Sequence, residues 1–139
     1  MIEPTVPSGP VPLLIEGLTP EQILALPRAE VDGFILCGRP LVFRAGSAEV
    51  LGQFAVVDQT LVAELGHIDG GGEGVLPALF ATAARLARQR GLRVVDWRVY
   101  ATRCPNPNLK LRRVTERRGF TVRTLPDAGE CYHMMQSLD

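Results

Sequence analysis

The sequence predicts an α+β protein: a mixed, mostly antiparallel sheet of about seven strands with helices on its faces. Three observations carry this. Strand-like segments crowd residues 33–68 with only short turns between them. One amphipathic helical segment, 75–90, stands between two strands. A last strand pair, 120–125 and 131–138, flanks Pro126-Asp127-Ala128-Gly129. Strands joined by tight turns pair antiparallel, whereas a helix between two strands favours a parallel pair, here 60–68 with 92–101.

The elements follow in chain order. Residues 1–12 hold Pro4, Pro7, Pro10 and Pro12 and read as an extended, flexible tail ahead of one domain, 13–139. "PLLIEG" (12–17) suits a short first strand. "TPEQILALP" (19–27) starts a helix with Thr19 as N-cap, Pro20 at the first helical position and Gln22 closing a capping box; Pro27 ends it. "GFILCG" (33–38) is apolar and bounded by glycines, as a buried strand would be. "LVFRA" (41–45), Gly46-Ser47 and "AEVLGQFAVV" (48–57) read as a hairpin, since a glycine-led two-residue link suits a tight turn. "TLVAELGHI" (60–68) follows a turn at Asp58-Gln59. In 75–90 the apolar Leu76, Leu79, Phe80, Ala83, Leu86 and Ala87 recur at threes and fours, and Gly91 ends the helix. "LRVVDWRVYA" (92–101) is a strand, with Trp97 packing in mid-strand; Asn108 caps a second helix, 109–118, closed by Gly119.

Composition sets broad limits. The 139 residues suit one core, and a hydrophobic fraction of 46% is that of a folded protein. The formal net charge is zero, so the whole chain has no pull toward nucleic acid or an anionic membrane. Its distribution is lopsided: residues 1–79 hold three basic and ten acidic residues, residues 80–139 twelve and five, so the halves are complementary. Cys37, Cys104 and Cys131 are an odd, scattered set that fits a reducing compartment. No secretory signal and no run of about 18 apolar residues is evident, and a cytoplasmic location is expected.

The chemistry centres on "HIDGGGEGVLPALF", residues 67–80, a glycine loop running into a helix. A helix N-terminus offers unpaired N–H donors and partial positive charge, which suits a phosphate. "NLKLRRVTERRGF" (108–120) is the second motif. With the order of elements, these resemble, over roughly residues 40–138, the GCN5-related N-acetyltransferase (GNAT) superfamily. The resemblance implies that the glycine loop holds the pyrophosphate of acetyl-CoA or another acyl-CoA as co-substrate, with no metal, through Gly72, Glu73, Gly74, Val75 and Leu76, and that Asn108 lies near the pantetheine arm. The family loop reads Q/R-x-x-G-x-G/A. Alignment by the first glycines makes Gly72 and Gly74 the pair, with Asp69 at the polar head, and needs a two-residue insertion in the helix. Alignment through the helix body places Gly71 at the head, Gly74 at the first glycine and Leu76 at the second, and is preferred. Both readings depart from the pattern, and Glu73 sits where a basic or neutral residue is usual. In the second motif Asn108, Gly119 and Phe120 match, whereas Thr115 stands where the family often has a tyrosine that protonates the departing thiolate.

Acetyl transfer needs a base for the acceptor ammonium and a donor for the developing oxyanion. Glu64 and His67, on the strand before the loop, are the candidate bases. Strand alternation points them to opposite faces, so one at most meets the cleft. Tyr132, Cys104 and a water are the candidate substitutes for the missing acid, and of Tyr132 and His133 alternation makes one core and one surface. Cys104 follows the 92–101 strand with Arg103 as its only evident activator. Lys110, Arg112, Arg113, Arg117 and Arg118 form a basic helix run without interleaved aromatics, which argues against single-strand nucleic-acid binding. No cluster has metal-ligand spacing. The expected function is N-acyl transfer to a small-molecule or protein amine by direct attack, with the backbone after Leu65 polarising the carbonyl. The alternative is a GNAT-like fold that has lost catalysis and binds a protein partner, or a second copy of itself as a homodimer.

Overall fold

A computed structural model describes residues 13–46, 48–69, 75–100, 119–126 and 129–138, with the side chains of residues 67–69 and 75 outside the description. Among the described residues there are seven strands: β1 (Leu14–Ile15), β2 (Leu41–Ala45), β3 (Ala48–Val57), β4 (Thr60–Asp69), β5 (Val94–Val99), β6 (Thr121–Leu125) and β7 (Gly129–Ser137). They form one sheet in the order β1-β2-β3-β4-β5-β7-β6. Only β4 and β5 run parallel; every other pair is antiparallel. The protein is thus α+β with a mixed, mostly antiparallel sheet, as its sequence predicts.

Helix α1 (Pro20–Leu24) starts at Thr19, whose hydroxyl accepts from the Gln22 amide while the Gln22 side chain accepts from the Thr19 amide. This is the capping box read from the sequence, but the helix ends before Pro27. Pro27 instead leads into α2 (Arg28–Glu30), which passes into a π-helical turn, Val31–Ile35. Here the expectation of a strand at 33–38 fails. The Leu36 amide reaches back to the Val31 carbonyl at 3.0 Å, and the segment's backbone meets the sheet at its end, through an isolated bridge between Cys37 and Ala55 and the Gly38 amide donating to the Phe54 carbonyl at 2.8 Å. The physical reason is that Val31, Ile35 and Leu36 are all buried, and a wound segment puts them on one side. A short apolar run suits a buried helix as well as a buried strand.

The β2–β3 hairpin turns at Gly46, with φ of 60°, and the β3–β4 hairpin at Asp58, with φ of 56°. Helix α3 (Val75–Gln89) presents the predicted apolar face: Leu76, Leu79, Phe80, Ala83, Leu86 and Ala87 are buried. It packs on one face of the sheet against Leu61, Ala63 and Leu65 of β4 and Val95, Trp97 and Val99 of β5, all fully buried in one continuous core. The Phe80 ring meets Trp97 edge-on at 4.6 Å between centroids and stacks on Phe120 at 5.6 Å. Helix α1 lies beside α3 on this face: Arg85 pairs with Glu21, the Gln89 amide donates to the Leu24 carbonyl at 3.0 Å, and Arg90 pairs with Asp32. The 1–12 tail and the 109–118 helix lie outside the described residues. Among the described residues no helix is long and apolar enough to cross a membrane.

Candidate functional site

Alternation along β4 that buries Leu61, Ala63 and Leu65 turns Glu64 to the opposite face. Parallel pairing sets Glu64 beside Arg98, and antiparallel pairing sets Gln53 on its other side. The row continues through His133 of β7 to Thr121 of β6. A polar row therefore crosses five strands on the face away from α3.

Glu64 is the best-held member. Its Oε1 accepts from Gln53 Nε2 at 2.8 Å and its Oε2 from the Tyr100 hydroxyl at 2.6 Å. The two donors fix the carboxylate over a cavity of about 260 Å³ lined by Pro40, Leu51, Gly52, Gln53, Glu64, Gly66 and Tyr100. Burial, reinforced by the hydrogen bond and charge of Glu64, pushes the Tyr100 phenol well above the usual range. Beside this lies a second cluster: Arg98 donates from Nε and Nη2 to the two carboxylate oxygens of Asp96, both at 3.3 Å, and His133 Nε2 lies 3.0 Å from Asp96 Oδ1. Cys131, the next outward residue of β7, is also buried.

The backbone changes character at the same place. Val50 pairs with Ile68 but Gly52 with Leu65, so Leu51 alone faces Gly66 and His67. This β-bulge bends β4 and interrupts the ladder next to Glu64. The parallel ladder ends at Leu65–Val99, capped by the Tyr100 amide donating to the Leu65 carbonyl at 2.9 Å, whereas β4 runs on to Asp69 with β3. Past Leu65 the two central strands thus part company, leaving a fork with Glu64 and Tyr100 at its base. Gly52 permits the close approach of β3: a Cβ there would collide with the Glu64 carbonyl oxygen and come within 2.9 Å of Leu65 Cδ2 and 3.0 Å of Phe43 Cε2.

The predicted site residues fare differently. Glu64 lines the cavity. The bulge removes the basis for assigning a face to His67, because alternation counted from Glu64 stops at the irregularity; its side chain is outside the described residues. Tyr132 is 4% exposed, paired with Val99 and Val122, and part of the α3-side core. It lies on the opposite face from Glu64 and is not brought to the cavity. His133 also departs from expectation, being buried against Asp96 rather than on the surface. Leu76 is 3% exposed and turned into the core. Gly72, Glu73, Gly74 and Asn108 lie outside the described residues, as do Cys104, Thr115 and the basic run; Val75 opens α3. The sequence reading missed Gln53, Tyr100, Asp96 and Arg98. The signal was present in "DWRVY", where Asp96, Arg98 and Tyr100 alternate with Trp97 and Val99.

No family profile matches the chain, and no curated protein matches it. Among solved structures it is similar to nourseothricin acetyltransferase, with 22% identity over 73% of this chain and 66% of that one and a TM-score of 0.46. It is similar to the PaiA N-acetyltransferase of Thermoplasma acidophilum in complex with coenzyme A, with 13% identity over 78% and 65% and a TM-score of 0.46. A GNAT-family acetyltransferase from Listeria monocytogenes shares 12% identity over 70% and 64%, with a TM-score of 0.39. The chain covers just under two thirds of the length of each. These are partial likenesses of fold.

Proposed function

We propose that the chain is an acyl-CoA-dependent N-acyltransferase that moves an acetyl or related acyl group directly to an amine. The observation that carries the reading is the fork: a fixed carboxylate, Glu64, lines a cavity where β4 leaves β5, on the strand that precedes α3 in the chain. Each part has a task. The loop at Gly72, Glu73 and Gly74 and the first amides of α3 at Val75 bind the pyrophosphate, and Asn108 steadies the pantetheine arm. Leu76 anchors the helix from within the core. Glu64 takes the proton that the acceptor amine must lose, and the bulged backbone after Leu65 polarises the thioester carbonyl. Leu51 and Pro40 give the acceptor an apolar wall beside that carboxylate.

A thermal melt tests binding. A ligand at about 100 times its Kd stabilises the fold by about 2.7 kcal/mol. Acetyl-CoA, a longer acyl-CoA or free CoA is expected to raise Tm, and Gly74→Glu to abolish the rise. No shift with any of the three refutes the reading.

Glu73 and Thr115 favour a second reading, a GNAT-like domain that binds a partner without catalysis. Glu73 sets a negative charge against a pyrophosphate, and Thr115 is a poor acid for a thiolate. A single stoichiometric protein recovered by affinity capture, with no amine acylated, is its expected signature; recovery of monomer alongside amine turnover refutes it.

A further inference from the structure

We infer that Tyr100 is the group that protonates the departing thiolate and that Glu64 restores its proton through the hydrogen bond joining them, a deepening of the acyltransferase reading. The reaction leaves two proton tasks, one on the acceptor nitrogen and one on sulfur. Thr115 is unsuited to the second, and Tyr132 is sealed on the other face of the sheet. Tyr100 stands at the fork itself. Its backbone amide holds the last carbonyl shared by β4 and β5, and its hydroxyl lies 2.6 Å from Glu64 Oε2, in the wall of the same cavity.

The relay balances. The amine nitrogen attacks the thioester carbon, so a C–N bond forms and the C–S bond breaks. The proton lost from nitrogen passes to Glu64 Oε2, whose second lone pair is not used by Tyr100. The Tyr100 O–H proton passes to sulfur, and the proton on Oε2 passes to the Tyr100 oxygen. Amide and thiol result, and carboxylate and phenol return to their starting forms. Ordinary pKa values explain why two residues are needed. A phenol is a weaker acid than a thiol and does not give its proton to a thiolate unaided, whereas a carboxylic acid is a stronger acid than a thiol, so a proton arriving on the carboxylate drives the transfer. Gln53 on Oε1 keeps Oε2 aimed at the hydroxyl. The raised Tyr100 phenol stays fully protonated at neutral pH, as a donor must.

Three measurements test the relay. Tyrosinate absorbance, wild type minus Tyr100→Phe, should show a phenol ionising above the ordinary range, and Glu64→Gln should lower its midpoint. An unmoved midpoint overturns the coupling. In single-turnover transfer from acetyl-CoA to a panel of primary amines, Tyr100→Phe should slow the step about 10²-fold and keep the CoA-induced rise in Tm. The rate in mixed light and heavy water should curve with deuterium content in the wild type, from two protons in flight, and become linear in Tyr100→Phe. Undiminished turnover, or a rate loss with the curvature intact, overturns the relay and leaves the acyltransferase reading standing. A wild type that binds no acyl-CoA and acylates no amine removes both.

Discussion

The same three strands, β4, β5 and β7, present two unlike faces. Toward α3 they offer Leu61, Ala63, Leu65, Val95, Trp97, Val99 and Tyr132, nearly all fully buried. On the reverse they offer Glu64, Asp96, Arg98, Tyr100 and His133, joined by hydrogen bonds and ion pairs. The inner face works by area and shape, so its energy is spread over many contacts and any one removal leaves a cavity. The outer face works by direction. A charge withdrawn from water is tolerated only while its partners stay aimed at it, so its energy sits in a few atoms. The difference teaches where a site can arise: alternation lets β4 send Leu65 to the core and, one residue earlier, Glu64 to a cavity.

Substitutions that load one face at a time sharpen the contrast. The largest stability loss is expected from Trp97→Ala, which removes the largest fully buried side chain, its edge contact with Phe80 and its bond to Gln136; about 3–5 kcal/mol should be lost in urea unfolding. Asp96→Ala removes the acceptor that Arg98 and His133 share; about 2–3 kcal/mol is expected, less than for a fully sealed pair because Asp96 is 13% exposed. Gly52→Ala acts on both faces, pushing β3 off Glu64 and Leu65 for about 1–3 kcal/mol, with the Glu64 cavity deformed as well. Thr19→Ala, remote from either face, removes one side of the capping box and should cost about 1 kcal/mol. Glu64→Gln is the smallest in stability and the largest in chemistry: Tm should hold within the scatter of surface changes while acyl transfer falls about 10²–10⁴-fold. If Trp97→Ala and Glu64→Gln cost the same in unfolding, the division between the faces is wrong.

Alkaline pH loads the outer face alone. The Tyr100 phenol is raised on folding, so the folded chain holds its proton where the unfolded chain has lost it. That contribution is complete below the ordinary phenol value of about 10 and is lost as pH rises above it through the folded value. Unfolding between pH 9 and 12 should therefore show a steeper decline for the wild type than for Tyr100→Phe.

Much of this was legible in the chain. The capping box at Thr19, the turn at Gly46, the apolar face of α3 and the single parallel pair each rest on local pattern or connection length, and each is found. Residues 33–38 are wound at their start rather than extended, and four apolar residues in a row carry no period that separates the two. Tyr132 was misplaced for a related reason: alternation says that two neighbours take opposite faces, but only packing says which face is the core. His67 was unreadable because a bulge two residues past Glu64 breaks the count. Glu64 was named from its strand, but its partners Gln53 and Tyr100 lie 11 and 36 residues away in the chain.

The sequence by itself determined α1, α3, the approximate places of the strands and the presence of a carboxylate on β4, though not the winding of residues 28–35, because turns, caps and periodicity act over a few residues. The tertiary structure decided that β4 bulges against Leu51, that the parallel ladder stops at Leu65 and that a phenol just past the end of β5 closes on Glu64. Those are matters of register between distant segments, set by how the core closes on Trp97 and Phe80, and no local pattern encodes them.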